Sequence, residues 1–296
     1  MSKYTLGFIG FGEAAFGIAK GLKKNGLKDI CFFDKFYNQK PMSDLILKRS
    51  VEAGVHLFEN IGDLANQTKI IFSSVTAKVA IDVAKSISPH LTENHIYVDS
   101  NAASPMIKEE IARIIEQKGA KFVDAALMGP IPAFLHKVPI FATGNGASDF
   151  KRIMSLYGMN ITYLGNEPGQ ATAIKMFRSI FMKGFVALIL ETLVAANKYN
   201  ADDMVLDSIA ETMDKKEFKE TVRLLLTRGV IHAERRAFEM NEVIRTLENI
   251  GAPSTMSYAT QENLQWCSEL NLKDYFAGEA PDNIKDVLTC LENKGV

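Results

Sequence analysis

Thr5-Leu6-Gly7-Phe8-Ile9-Gly10-Phe11-Gly12-Glu13-Ala14-Ala15 is the stretch whose reading decides the fold. An apolar run enters a Gly-x-Gly-x-x-Ala turn, which opens an amphipathic helix. Each small residue has a job in a phosphate-cradling turn. Gly10 permits the tight bend, Gly12 lets backbone approach a pyrophosphate, and Ala15 lets helix lie close to strand. The backbone around Phe11, Glu13 and Ala14 then offers free N–H groups and the positive end of the helix dipole. Ala15, Ile18, Ala19 and Leu22 recur at helical spacing, and Asn25-Gly26 stops the helix after Lys20, Lys23 and Lys24. A second apolar run, Ile30-Cys31-Phe32-Phe33, leads to Asp34, about 20 residues beyond the turn, where a ribose-binding acid belongs.

A chain of 296 residues can bury a large core and suggests two domains, or one with an appendage. Its formal net charge of −1 leaves no electrostatic footprint for nucleic acid or an anionic membrane. Cys31, Cys267 and Cys290 lie far apart in no metal-type spacing, so buried thiols in a reducing compartment are expected. No two histidines form an H-x-x-x-H pair, and no metal site is expected. The N-terminus runs straight into the first strand, and the apolar stretch 184–190 is bounded by Lys183 and Glu191. That stretch is too short to span a bilayer. A cytoplasmic protein with no membrane partner is the expectation.

Strand and helix signals alternate through the first half. Strands are expected at 30–33, 55–58, 69–75, 96–99, 121–127, 139–143 and 161–164, with helices at 43–53, 78–87, 104–119 and 149–157. Past Gly165 only helical patterns remain: 170–199, 203–213, 218–227, 230–250 and 255–270. The fold class is therefore α/β, a Rossmann-type doubly wound and mainly parallel sheet, followed by an all-α C-terminal domain. The boundary is drawn near Leu164, giving a dinucleotide-binding domain over 1–164 and a helical domain for substrate and dimerisation over 165–296. The 170–199 helix is more apolar than one solvent-facing side requires. It reads equally as a central helix wrapped by its own domain or as the interface of a homodimer.

Four segments, taken in order, carry a resemblance: Gly10–Ala15, the run Asp99-Ser100-Asn101-Ala102-Ala103-Ser104-Pro105, the run Asp124-Ala125-Ala126-Leu127-Met128-Gly129-Pro130, and the helix holding Lys175. Together they resemble the β-hydroxyacid dehydrogenase superfamily, which includes 3-hydroxyisobutyrate and 6-phosphogluconate dehydrogenases. The nearest branch is the poorly characterised group of 6-phosphogluconate-dehydrogenase-like NAD-binding proteins. The resemblance implies a nicotinamide-dependent oxidoreductase acting on a small hydroxy or oxo acid.

Ligands of open parallel sheets sit beyond the carboxyl ends of the strands, where Val75-Thr76, Asn101 and Met128-Gly129 all fall. Val75 and Thr76 would pass beneath the cofactor, while Ser73 and Ser74 read as ordinary strand-end polarity. Asn101 could orient a substrate carboxylate or hydroxyl, or cap the helix that begins near Ser104-Pro105. The superfamily places a lysine early in its first long interdomain helix as the acid–base group, and Lys175 matches it. Desolvation and a neighbouring cation such as Arg178 or an oxidised nicotinamide would pull its pKa toward neutrality. Arg178 and Ser179 share the Lys175 face, and Arg178 could hold a carboxylate or form a salt bridge. His232, Arg235 and Arg236 could close over substrate, but a solvated face or a helix–helix salt bridge accounts for the arginines more simply.

Three departures from the family pattern bear on substrate. Met128-Gly129-Pro130 replaces Ser-Gly-Gly, removing a hydroxyl and a backbone N–H. Arg178 and Ser179 replace two asparagines, and Lys175 lies further past Gly169 than the family spacing. A bulkier or differently placed acid than 3-hydroxyisobutyrate is expected, with Met128, Phe134 and Phe177 lining its pocket. Asp34 favours NAD, while Lys35 and Lys40 leave NADP open. Two competing readings are an imine reductase, whose relatives generally lack the helix lysine, and a non-catalytic dinucleotide sensor whose helical half binds a partner protein.

Overall fold

The computed structural model describes residues 3–296. Strand β1 (Tyr4–Ile9) lies between two parallel neighbours, β2 (Ile30–Phe33) and β4 (Thr68–Ser73), which is why Leu6 to Ile9 are buried without alternation. Between them come α1 (Glu13–Lys24), α2 (Met42–Ala53), the two-residue β3 (His56–Leu57) and α3 (Ile61–Gln67). The chain continues through α4 (Ala80–Ile87), β5 (Ile96–Asp99), α5 (Pro105–Glu116), β6 (Lys121–Leu127), α6 (Ile131–Phe134), β7 (Ile140–Thr143), α7 (Ala147–Met154) and β8 (Ile161–Gly165). After these come α8 (Gln170–Asn197), α9 (Asp202–Met213), α10 (Phe218–Ile231), α11 (Ala233–Asn249), α12 (Thr255–Glu269), α13 (Leu272–Tyr275) and α14 (Ile284–Asn293).

The eight strands run in the order β3-β2-β1-β4-β5-β6-β7-β8. All pairs are parallel except β6–β7, because the short 128–139 connection turns the chain straight back. Strand order reverses between β1 and β4, and a ligand crevice belongs at such a switch point. Side chains alternate between two cores. Leu6, Phe8, Phe32, Phe72 and Val98 face one, with α1 and α7, while Ile9, Cys31, Ile71, Tyr97 and Phe122 face the other, with α4 and α5.

The structure corrects several element boundaries. The third strand keeps only two residues, and α3, α6, α13 and α14 are additional helices whose short or mixed apolar pattern gave no signal. The break placed after Thr227 lies at His232 instead. Gly229 stays helical, because α10 carries its apolar side through it to Ile231. Cys31 and Cys290 are buried as expected, whereas Cys267 is only half-buried.

Two compact units divide inside α8, at Ser179/Ile180, so the first turns of the long helix belong with the sheet. In the helical unit α11 packs beside α12, and Glu191 of α8 accepts the Met256 and Ser257 N–H groups (2.7 and 2.8 Å) and the Ser257 hydroxyl (2.7 Å). Its carboxylate thus caps the start of α12, where no side chain of that helix does so. α8 is 28 residues long, where the sequence reading weighed only 184–190 against a bilayer. By length and composition the whole helix is apolar enough to cross a bilayer.

Candidate active site

The turn after β1 is drawn against β2 and β4 by continued ladder bonds: Gly10 N–H donates to Phe33 O and Ser74 N–H to Ile9 O, both at 2.8 Å. Gly10 has φ +82°, and a β-carbon there would sit 2.5 Å from the Ser74 carbonyl oxygen. Only glycine meets both demands. Gly12 differs: it is the N-cap of α1 at φ −70°, with no capping side chain, and a β-carbon there would meet nothing within 4 Å. Open space in front of an uncapped helix start fits a pyrophosphate.

Asp34 is nearly buried and closes this turn. One carboxylate oxygen accepts the Phe11 N–H at 2.7 Å and the other accepts the Phe36 N–H at 2.9 Å. Each oxygen keeps a lone pair for a ribose hydroxyl. Phe11 is itself fully buried, stacked on Phe32, so only its backbone can meet a ligand. Glu13 and Ala14 occupy the first turn of α1, with Ala15 buried beneath.

Asn101 stands at the end of β5, and the structure gives it a role neither alternative anticipated. Ser104, not Asn101, caps α5, accepting the Ile107 N–H. The Asn101 side chain is buried and committed. Its Oδ1 accepts the Val75 N–H at 2.6 Å, and its Nδ2 donates to Asp99 Oδ2 at 2.8 Å and Ser73 Oγ at 3.1 Å. With both amide N–H groups used, it holds the Val75-Thr76 loop in place and has no donor left for substrate. Ser73, read as mere strand-end polarity, is part of that arrangement.

Beneath this surface lies a buried charged cluster that the sequence did not announce. Ser73, Asp99 and Asp124 are register partners across β4, β5 and β6, and Thr143 of β7 faces Asp124. All four are fully buried, as is Lys108 of α5. The Lys108 ammonium bonds Asp99 Oδ1 and the Asp99 carbonyl oxygen (3.0 Å) and lies 3.5 Å from Asp124 Oδ1. Asp124 accepts the Thr172 N–H (2.9 Å) and hydroxyl (2.6 Å), so the sheet caps the first turn of α8. The signals available were Asp99 at the end of one strand, Asp124 inside an otherwise apolar one and a lysine in an otherwise apolar helix position, but pairing them needed the strand register.

Lys175 follows Thr172 by three residues, on the same helical face, and is half-buried. Burial pushes its pKa below the ordinary lysine value, the nearby Lys108 charge acts the same way, and Asp124 opposes them. Arg178 and Phe177 are exposed, and the Ser179 hydroxyl donates back to the Lys175 carbonyl oxygen at 3.0 Å. Met128 and Gly129 are half-buried at the end of β6, with the Phe134 ring closed over Gly129. In the helical unit His232 is exposed and Arg235 pairs with Glu239, while Arg236 lines an apolar cavity of about 560 Å³ with Leu226, Trp266, Cys267 and Leu288. That cavity has Arg236 as its charged lining residue and no acid–base pair, so the strand ends remain the place for chemistry. No metal-type cluster occurs among the described residues.

The profile described as the NAD binding domain of 6-phosphogluconate dehydrogenase matches residues 5–165, more than half the chain. The chain belongs to the β-hydroxyacid dehydrogenase superfamily. Residues 196–267 match a domain family of unknown function, DUF1932. An uncharacterised 28.5 kDa protein of Methanothermus fervidus is 32% identical over 80% of this chain and 88% of its own. The mitochondrial 3-hydroxyisobutyrate dehydrogenase of Bos taurus is 28% identical over 58% of this chain and 52% of its own, so the match spans about half of that enzyme. Among solved structures, a conserved protein of unknown function with similarity to 3-hydroxyacid dehydrogenases aligns at TM-score 0.60 and 32% identity, covering 91% of this chain and 98% of its own. An imine reductase of Myxococcus stipitatus aligns at TM-score 0.74 and 16% identity over 98% and 99%, which shows the shared fold alone.

Proposed function

We propose that this protein is an NAD(P)-dependent dehydrogenase or reductase that moves hydride between a nicotinamide and a small hydroxy or oxo acid, with Lys175 as general acid–base. The observation that carries the reading is the half-buried Lys175 on a helix whose first turn is tied to β6 through Asp124, where burial holds its pKa below the ordinary lysine value. A bound nicotinamide would supply the hydride acceptor or donor. Neutral Lys175 takes the hydroxyl proton as the alcohol is oxidised and returns it in reduction. Arg178, one turn on, offers a planar cation for the substrate carboxylate. Met128 and Pro130 withhold donors there, and Phe134 with Phe177 adds apolar surface, which favours a bulkier acid than 3-hydroxyisobutyrate.

Gly10–Ala15 would cradle the pyrophosphate, Val75-Thr76 would underlie the ribose and nicotinamide, and Asp34 favours NAD over a 2′-phosphorylated cofactor. Imine reduction is the weaker reading, because that chemistry does not call for Lys175. The test is a panel of hydroxy and oxo acids, with imines as controls, run with NADH and NADPH on wild type and Lys175→Met. Loss of at least about 100-fold in kcat is expected from the variant. Oxidation should rise with pH along a limb below the ordinary lysine value of 10.5, since the neutral amine is the active form. Undiminished turnover in the variant removes the proposed base.

The natural partner of α8 is a second copy of this chain. Ile180, Val186 and Leu190 are 74%, 65% and 63% exposed, and with Phe181 and Phe185 they leave an apolar surface that its own unit does not cover. Self-association of such a surface gives a closed, isologous dimer.

A further inference from the structure

Three buried charged groups under the site take no direct part in the proposed chemistry, and burial of charge is a poor way to gain stability. Well-packed apolar residues in place of such a cluster are often neutral or stabilising. Two carboxylates in register on adjacent strands, Asp99 and Asp124, would repel each other without a cation between them. Lys108 supplies it from α5, with no exposure to solvent or substrate.

Each carboxylate then spends its remaining capacity on a different part of the site. Asp99 accepts the Asn101 amide and its backbone N–H (3.1 Å), and Asn101 in turn holds the Val75 N–H beneath the cofactor position. Asp124 holds the Thr172 N–H and hydroxyl, and Thr143 accepts the Ala171 N–H at 3.4 Å. Two of the first N–H groups of α8 are therefore fixed by the sheet, which sets the rotation of the helix and with it the direction of Lys175, one turn later. We infer that Lys108 is a positioning residue: by clamping Asp99 to Asp124 it holds the cofactor-side loop and the lysine helix in one fixed relation. The inference rests on the proposed acid–base role of Lys175.

The charged groups of other elements that act on Lys175 are Lys108 and Asp124; Arg178 follows it by one turn on its own helix and is exposed. Removing the Lys108 charge lifts a repulsion, so Lys175 should titrate at higher pH. Lys108→Met keeps the buried stem and deletes the charge. Two readouts need neither substrate nor turnover: amide hydrogen exchange at Ala171 and Thr172, and the pH dependence of Lys175 acylation followed by mass spectrometry. We expect exchange at those amides to rise at least about tenfold and the Lys175 midpoint to move up by about half a pH unit or more. The alkaline limb of turnover should follow it, and Lys108→Arg should restore part of each. If Lys108→Met does not fold, Lys108→Met/Asp99→Asn, which removes one charge of each sign, carries the same measurements. Unchanged exchange and an unmoved Lys175 midpoint overturn the inference, as does a loss of turnover that only tracks the folded fraction. Should Lys175→Met retain full turnover while the Lys108 variant shifts both readouts, the acid–base reading fails and the clamp stands.

Discussion

Gly10 and Gly12 sit two residues apart in one motif, yet the structure assigns them opposite roles, and a pair of alanine substitutions separates them. At Gly10 the backbone has φ +82°, where a β-carbon costs about 1–2 kcal/mol. The added atom would also lie 2.5 Å from the Ser74 carbonyl oxygen and 2.9 Å from Val75 Cγ1, well inside the 3.4–4 Å of ordinary contact. Relief requires β1 and β4 loops to part, and overpacking of this kind adds about 1–3 kcal/mol. Gly10→Ala should therefore lose about 2–4 kcal/mol of stability. At about 2–4 °C per kcal/mol for a unit of this size, its melting temperature should fall by about 5–15 °C. At Gly12 φ is −70° and a β-carbon meets nothing, so Gly12→Ala should lose less than about 1 kcal/mol, the difference between glycine and alanine at an N-cap. Its methyl instead occupies the space left for phosphate, and NADH affinity should fall more than about tenfold, near 1.4 kcal/mol. Thermal melts with and without NADH, and fluorescence titration of NADH, measure both quantities. A destabilised Gly12→Ala that binds NADH normally, or a Gly10→Ala that melts like wild type, refutes the assignment.

In the helical unit, Glu191→Ala strands two N–H groups at the start of α12 and should lower stability to denaturant by about 2–3 kcal/mol, with Glu191→Gln losing about half as much. An unchanged midpoint in Glu191→Ala would mean the cap carries no energy. Sedimentation of the wild type should give a dimer, and Ile180→Asp/Val186→Asp should sediment as a monomer with helix content retained. A monomeric wild type that floats with liposomes would assign α8 to a membrane instead.

The local chemistry of the chain settled the nucleotide half. Gly10, Gly12 and Ala15 after an apolar run, then Asp34, specify a strand–turn–helix–strand whose conformation is decided by residues close in sequence, and the structure reproduces it. Helical spacing of apolar residues likewise marked α8, because that spacing is a property of the segment itself, whereas Lys175 stood out only through the family resemblance. The direction of β7 was beyond that reach, since it depends on how the 128–139 segment packs. Gly17 and Gly21 of α1 make room for Ile131 and His136, and neither pairing has a local signature. Asn101 stood out as a polar residue at a strand end, yet which groups its amide serves was not legible, because Val75, Ser73 and Asp99 reach it from two strands. The division is physical. Turns, caps and helix faces are set by interactions within a few residues. The Asp99–Lys108–Asp124 clamp exists only once strand register brings together charges that no local rule would bury, and that register is a tertiary fact.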